Sequence, residues 1–264
     1  MVEHFPSSSR PRTTGRAAAC FTFDNMGEAA DIGAGVLAGA RPIGMDPSLS
    51  VGYPALFALL EQYSVRATFF IEGWNGVHHP DAVAEIVERG HELGMHGWLH
   101  ERWSDLRFSE ERDLAQRATE ALENASGFRP RGFRAPGGAR SKQTERVLLD
   151  LGYLYDASLG EAMNPTLLAP DLAQVPFVWP GVDGFYYLQD EPVDPGTVGE
   201  RWKRALRKSV ERGGLFVLVC HAFLTGIDPA RLAVLEEIID AAVSDESIHV
   251  CTTGAVAELV LTGT

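Results

Sequence analysis

The chain has 264 residues, of which 45% are hydrophobic and 22% are charged, the composition of an ordinary globular protein. Its 23 basic and 36 acidic residues give a net charge of −13, which argues against nucleic acid or an anionic membrane surface as a partner. No apolar run approaches the roughly 20 residues that a membrane span requires. We therefore expect a folded domain with neither a nucleic-acid nor a membrane partner.

The first 16 residues are polar and lack the apolar segment of a secretory signal, so we interpret residues 1–16 as a flexible N-terminal arm. Residues 17–264 contain no linker or repeat and are expected to form one domain. The cysteines Cys20, Cys220 and Cys251 lie far apart in apolar runs, which favours buried thiols over disulfides. Without a signal or a disulfide framework, the expected location is the cytoplasm.

Predicted strands and helices alternate from Ala17 onward. The predicted strands are Ala18–Phe23, Arg66–Ile71, His91–His96, Gly132–Arg134, Tyr153–Ala157, Val175–Trp179, Phe185–Leu188, Leu215–His221 and Ile248–Thr252. The predicted helices are Tyr53–Tyr63, Pro80–Arg89, Ser109–Ala125, Ser141–Leu151, two that start at the Asp-Pro pairs Asp194-Pro195 and Asp228-Pro229, and a short last helix. Continuously apolar strands that alternate with helices predict an α/β fold with a parallel sheet, and about seven such pairs favour a barrel.

Polar side chains follow several of the predicted strands. Because the carboxyl ends of parallel strands meet on one face of an α/β fold, these side chains are expected to form one site. They are Asp24, Asn25, His96, His100, Arg134, Asp156 and His221.

The pair His96 and His100 is the strongest single signal. In a helix or a tight turn, this spacing brings the two Cβ atoms within about 5–6 Å, close enough to share one ion. Imidazoles with oxygen ligands suit zinc, and also cobalt, nickel or iron, and three protein ligands leave one position open for water. Taken alone, each residue also has a simpler interpretation: a surface histidine pair, a turn at Asp24-Asn25, a turn after Arg134, and a core histidine at His221.

Taken in order, these residues resemble the five motifs of the polysaccharide deacetylase family, the NodB-homology group or carbohydrate esterase family 4. The resemblance extends from about Cys20 to Leu259 and is strongest to the branch with peptidoglycan deacetylases and allantoinase-like hydrolases. The segments that carry it are Thr22-Phe23-Asp24-Asn25, His96-Gly97-Trp98-Leu99-His100, Arg134-Ala135-Pro136-Gly137-Gly138, Tyr155-Asp156-Ala157-Ser158 and Val219-Cys220-His221.

The resemblance implies a distorted (β/α)7 barrel and metal-assisted hydrolysis of an N-acetyl group on a sugar or polysaccharide. It also implies a divalent metal, zinc before cobalt, nickel or iron. The implied roles are Asp24 as general base, His221 as general acid, Asn25, His96 and His100 as metal ligands, Arg134 as the partner of Asp24, the Gly137 N–H as an oxyanion donor and Asp156 as a residue that tunes the Arg/His network.

Two positions depart from the family pattern and keep alternatives open. Asn25 stands where the family has a second carboxylate, which weakens the hold on a cation unless Asp24, Glu28 or a water compensates. Gly137 stands where the family usually has an aromatic residue. One alternative is therefore a hydrolase of small cyclic amides or ureides that needs little or no metal. Another is a non-catalytic protein that binds glycan or a partner, and an oligomer is possible in each case.

Overall fold

The computed structural model describes residues 16–37 and 43–263, and the described residues contain nine strands and ten α-helices. The strands are β1 (Ala17–Asp24), β2 (Thr68–Ile71), β3 (Glu92–Met95), β4 (Gly132–Phe133), β5 (Tyr155–Asp156), β6 (Thr166–Ala169), β7 (Leu172–Gln174), β8 (Leu215–His221) and β9 (Ile248–Val250). The helices are α1 (Ala29–Gly33), α2 (Tyr53–Gln62), α3 (Gly73–His78), α4 (Pro80–Glu88), α5 (Phe108–Ser126), α6 (Thr144–Asp150), α7 (Gly184–Tyr187), α8 (Pro195–Arg212), α9 (Pro229–Val243) and α10 (Thr253–Thr262).

One curled sheet carries all nine strands. Its order is β6-β7-β5-β4-β3-β2-β1-β8, with β9 on the first half of β1, and all of its pairs are parallel except β6 with β7. Beyond β7 the chain makes isolated parallel bridges, Phe177 with Leu159 and Val182 with Val219, so this segment lies between β5 and β8. The sheet is thus a half-barrel whose remaining side is closed by bridges, and the predicted α/β fold with a distorted barrel is confirmed.

Aromatic side chains of the sheet pack against helix α2, on the face of β1 opposite to Asp24. All eight residues of β1 are buried, and on β1 and β2 the rings of Phe23 and Phe69 stack with centroids 4.9 Å apart. Burial of such large side chains contributes about 1.5–3 kcal/mol each. The register between β1 and β8 pairs Asp24 with His221, so the apolar ladder ends in two ionisable groups at the same edge.

Several helix starts agree with the sequence, and one does not. Asp194 accepts a hydrogen bond from the Thr197 N–H, and Asp228 accepts from the second and third residues of α9, so both predicted Asp-Pro starts are confirmed. Ser109, in contrast, does not cap α5. Arg107 is the capping residue, because the Glu110 carboxylate turns back to accept the Arg107 N–H at 3.0 Å.

Two predicted strands near residue 180 are wrong in detail. Phe185–Leu188 belongs to the turn of helix α7, since Asp183 accepts the Gly184 N–H and starts a helix there. Val175–Trp179 is not a regular strand, because Pro176 has no N–H to donate to a ladder and only Phe177 forms a bridge. A short aromatic run has no periodicity that separates a buried strand from a helical turn.

Three further expectations concern the N-terminal arm, the cysteines and membrane-spanning segments. The predicted arm lies outside the described residues except for Arg16, whose Nε donates to the Glu246 carbonyl at 2.6 Å. All three cysteines are buried and free of disulfides, as predicted. Within the described ranges, no helix has both the length and the apolar character needed to cross a membrane.

Candidate active site

The site lies at the carboxyl edge of the sheet, where the strands β8, β1, β3 and β4 end. Asp24 ends β1 and His221 ends β8, and the strand register sets them side by side. His96 follows β3, where its N–H donates to the Ile71 carbonyl at 2.9 Å, and Arg134 follows β4, where its N–H donates to the Met95 carbonyl at 3.0 Å. The convergence expected from the strand ends is therefore present for these four side chains.

Arg134 is the fixed centre of the site, with none of its surface exposed to solvent. Its Nη1 donates to Asp24 Oδ1 at 2.6 Å and to Thr22 Oγ1 at 2.8 Å, while its Nε donates to the Ala157 carbonyl at 2.9 Å. The guanidinium also lies over the ring of Phe70, 4.2 Å from its centroid. Held on three sides, Arg134 fixes the Asp24 carboxylate with a charge-assisted hydrogen bond.

His96 and His100 face each other across a tight turn, with ring centroids 5.0 Å apart. The turn is not helical, because Gly97 has φ 75° and His100 has φ 62°. The Glu101 carboxylate accepts the N–H groups of Trp98 and Leu99, both at 2.9 Å, and so closes the turn. The four-residue spacing therefore brings the imidazoles together through a loop that these hydrogen bonds hold in shape.

Both imidazoles are neutral near pH 7. Burial lowers the pKa of His96 to about 3, although Asp24 opposes this shift, and burial also lowers the pKa of His100. The Arg134 carbonyl lies 2.9 Å from His96 Nδ1 and can only accept, so Nδ1 carries the proton and Nε2 presents a lone pair. A neutral ring with its other nitrogen hydrogen-bonded is the form in which histidine ligates metals.

His221 is paired with a buried carboxylate, Asp183, that the sequence did not single out. Asp183 Oδ1 lies 2.6 Å from His221 Nδ1, and Asp183 Oδ2 accepts the His221 N–H at 2.8 Å and the Thr225 hydroxyl at 2.6 Å. Burial works against protonation, but the charge and hydrogen bond of Asp183, together with the charge of Asp24, outweigh it and raise the pKa of His221. The side chain of His221 remains 14% exposed, so a substrate can reach it.

Asp156 supports the site from behind Arg134 and does not contact the reactive groups directly. Its Oδ1 accepts the Ser158 hydroxyl at 2.5 Å, and that hydroxyl oxygen accepts the Ala135 N–H at 2.9 Å. Its Oδ2 lies 3.2 Å from Arg140 Nη1. Burial raises the pKa of Asp156 to about 6, with Arg140 opposing. Asp156 thus contacts neither Arg134 nor His221 directly, and supports the backbone that carries Arg134.

Asn25 continues β1 by one residue and turns the chain away. Its φ of 66° is left-handed, a conformation that asparagine tolerates, and its carbonyl accepts the Tyr53 hydroxyl at 2.7 Å. Its side-chain Nδ2 donates to Glu72, a second buried carboxylate that sequence reasoning missed. Glu28, which the sequence suggested as a substitute charge for Asn25, is engaged elsewhere: it accepts three backbone N–H groups of residues 44–46 and pairs with His79 at 2.9 Å.

Gly137 lies in the one-turn segment Pro136–Gly138, with its backbone exposed. Its φ is 66°, and a Cβ built on it would meet no atom within 4 Å. The space beside Gly137, which an aromatic side chain would line, is therefore open.

A sequence model of the family described as polysaccharide deacetylase matches residues 12–155, more than half of the chain. The chain belongs to the polysaccharide deacetylase family. The match contains the strand ends that carry Asp24, His96 and Arg134, while Asp156, Asp183 and His221 lie beyond it.

Relatives and solved structures extend this result. The peptidoglycan deacetylase of Helicobacter pylori is 34% identical over 109 residues, 41% of this chain and 37% of that protein. A structure from Mycobacterium smegmatis assigned to the polysaccharide deacetylases is 30% identical with a TM-score of 0.89, covering 97% of this chain and 95% of the other. An allantoinase is 22% identical with a TM-score of 0.81, covering 96% and 93%, and shares the fold. The chain spans about a third of the length of the curated relatives it matches.

The candidate metal ligands of this deacetylase-family site carry no negative charge. Among the described residues, no three His, Cys, Asp or Glu side chains come together as a possible metal-binding group. The three residues that the resemblance implies are two neutral imidazoles and the amide of Asn25. Their chemistry fits zinc and related divalent ions, because imidazole nitrogen and amide oxygen are both metal ligands and His96 Nε2 presents a free lone pair.

Proposed function

We propose that this protein hydrolyses the acetamido C–N bond of an N-acetylated sugar or polysaccharide, with a divalent metal bound at the site. The observation that carries the proposal is the pairing of Asp24 and His221 at the ends of adjacent strands. A base and an acid side by side at the strand edge that also carries the two imidazoles suit a reaction in which water adds to a carbonyl and an amine departs. Membership of the deacetylase family and the named peptidoglycan deacetylase relative support this substrate class.

Asp24 would act as the general base. Arg134 holds Oδ1, which leaves Oδ2 as the atom that takes a proton from the attacking water. Water adds to the acetyl carbonyl carbon, and the Gly137 N–H is the backbone donor we assign to the resulting oxyanion. Asp156 supports this arrangement through Ser158 and the backbone next to Arg134.

His221 would act as the general acid. Asp183 accepts from Nδ1, so the second ring nitrogen, Nε2, carries the proton that passes to the departing amine. The C–N bond then breaks, and the products are acetate and the free amino sugar. Asn25, His96 and His100 would hold the metal, which when bound supplies Lewis-acid polarisation of the acetyl carbonyl.

A second candidate is hydrolysis of a small cyclic amide or ureide with little dependence on metal. Two observations favour it: the neutral side chain of Asn25 at the ligand position, and the open space beside Gly137 where a sugar-binding wall would stand. The same base and acid, Asp24 and His221, would serve this reaction.

Metal removal separates the two candidates. We expect protein stripped with a chelator to lose acetate release from chitooligosaccharides and peptidoglycan fragments and to regain it with Zn²⁺ or Co²⁺, because the metal polarises the carbonyl. His96→Ala and His100→Ala are expected to lose both the bound metal and the activity. Metal-free protein that keeps full activity on a cyclic ureide would favour the second candidate. Binding of glycan without release of acetate or amine, across the panel, would contradict both.

The Asp183–His221 pair gives an expected pH dependence. His221 must be protonated to act as the acid, so activity falls as the pH rises through its raised pKa. Replacing Asp183 with asparagine removes the charge that raises this pKa, and we expect the alkaline limb of kcat/KM to move to lower pH by about 1–3 units. Exposed Asp190 provides the control, Asp190→Asn. An alkaline limb that stays in place in Asp183→Asn would show that His221 is not the group that titrates.

A further inference from the structure

A carboxylate with no described cationic partner lies directly behind the Asn25 side chain. Glu72 follows β2 and is 0% exposed. Within the described ranges, no Lys, Arg or His makes a direct contact with it. Burial raises the pKa of Glu72 to about 7, although its hydrogen bonds oppose this shift, so the side chain is a carboxylate at pH 8 and only partly ionised at neutral pH. A buried charge is costly unless hydrogen bonds satisfy it.

Three neutral donors surround Glu72. Its Oε1 accepts from Asn25 Nδ2, and its Oε2 accepts from the Met26 N–H at 3.1 Å and from Asn75 Nδ2 at 3.0 Å. Two of the three donors belong to the turn that leaves β1. The negative charge of Glu72 is therefore directed at Asn25, the neutral amide among the proposed ligands.

The contact has two consequences for Asn25. The amide nitrogen faces Glu72, because an ionised Glu72 can only accept a hydrogen bond, and so Oδ1 faces away from Glu72. Donation from Nδ2 to a carboxylate also draws electron density toward Oδ1, which makes it a stronger ligand. The Tyr53 hydroxyl donates a hydrogen bond to the Asn25 backbone carbonyl at 2.7 Å and so holds the Asn25 backbone in the conformation that directs its side chain at Glu72.

We propose that Glu72 is a positioning residue of the metal site: it orients the Asn25 amide and supplies from behind it the negative charge that the ligand position lacks. This inference rests on the proposed metal-assisted function. Glu28, another buried carboxylate near the end of β1, does not compete for this role, because its oxygens accept hydrogen bonds from the backbone of residues 44–46 and pair with His79.

The test is the affinity of metal-free protein for Zn²⁺, measured at pH 8 by competition with a chromophoric chelator. We expect Glu72→Gln, which keeps the shape and removes the charge, to weaken Zn²⁺ binding by about 10- to 100-fold. Glu28→Gln is the matched control, a buried carboxylate that does not touch Asn25, and should stay close to wild type. Far-UV circular dichroism and thermal melting establish that each variant is folded.

A double variant separates charge from structural damage. Asn25→Asp with Glu72→Gln moves the carboxylate to the ligand position and keeps the total charge, so we expect Zn²⁺ affinity at least equal to that of wild type. Asn25→Asp alone sets two buried carboxylates against each other and should melt at a lower temperature than the double variant.

Each outcome has a distinct meaning. Glu72→Gln with wild-type affinity would overturn the role of Glu72 and leave the metal-assisted function standing. Weak binding in the folded double variant as well would overturn it too, since the loss would then be structural. Wild-type protein that binds no Zn²⁺ would overturn the metal-assisted function itself, and this inference with it.

Discussion

Asp24→Asn is expected to lower kcat for acetate release by about 10²–10⁴-fold while the protein stays folded, since general-base catalysis contributes an effect of this size. The asparagine has nearly the same shape and can still accept from Arg134 Nη1, but it cannot take a proton from water. The measurement is steady-state acetate release by metal-loaded protein, with metal content determined in parallel.

Asp171→Asn, at an exposed position, is the control and should leave kcat unchanged. If Asp24→Asn retained its metal and turned over within a few-fold of wild type, Asp24 would not be the base. The proposed path of the proton would then have to begin at another group.

Arg134→Met is expected to destabilise the protein by about 3–5 kcal/mol, the effect of breaking a buried ion pair from one side. Arg134 is fully buried and Asp24 is nearly so, with side-chain exposures of 0% and 6%, so removing the guanidinium leaves a carboxylate without its counter-ion. Methionine fills a similar space without charge. The free energy of unfolding, measured by urea denaturation, is the direct test.

The matched control is Arg129→Met, which breaks an exposed ion pair with Glu123 and should cost less than about 1 kcal/mol. Combining Arg134→Met with Asp24→Asn should recover part of the loss, because the uncompensated charge is then gone. A loss below about 1 kcal/mol for Arg134→Met would contradict the view that this pair holds the centre of the site together.

The rule that polar residues follow parallel strands located much of the candidate site. It gave Asp24, His96, Arg134 and His221, and these four converge in the structure. The rule works because the register of a parallel sheet aligns the strand ends, so a pattern visible along the chain becomes an arrangement in space. The alternation of apolar strands with helices predicted the fold for the same reason.

The carboxylates behind the site were harder to find. Glu72 follows the apolar strand that ends at Ile71, so the same rule applied to β2 would have identified it. Asp183 was missed because Phe185–Leu188 was interpreted as a strand. That interpretation placed Asp183 before a strand, whereas in the structure it follows Val182, which forms a parallel bridge with Val219. Which acid supports which residue depends on hydrogen bonds between distant segments, such as Asp183 with Thr225, and these leave no local pattern.

Anomalous diffraction from crystals grown with Zn²⁺, recorded on both sides of the zinc absorption edge, tests the central claim most directly. The claim is that side chains from separate strand ends surround one cation. We expect a single strong peak within about 2.0–2.2 Å of His96 Nε2, an imidazole nitrogen of His100 and Asn25 Oδ1. Zinc bound elsewhere, with no peak between the two imidazoles, would contradict the account.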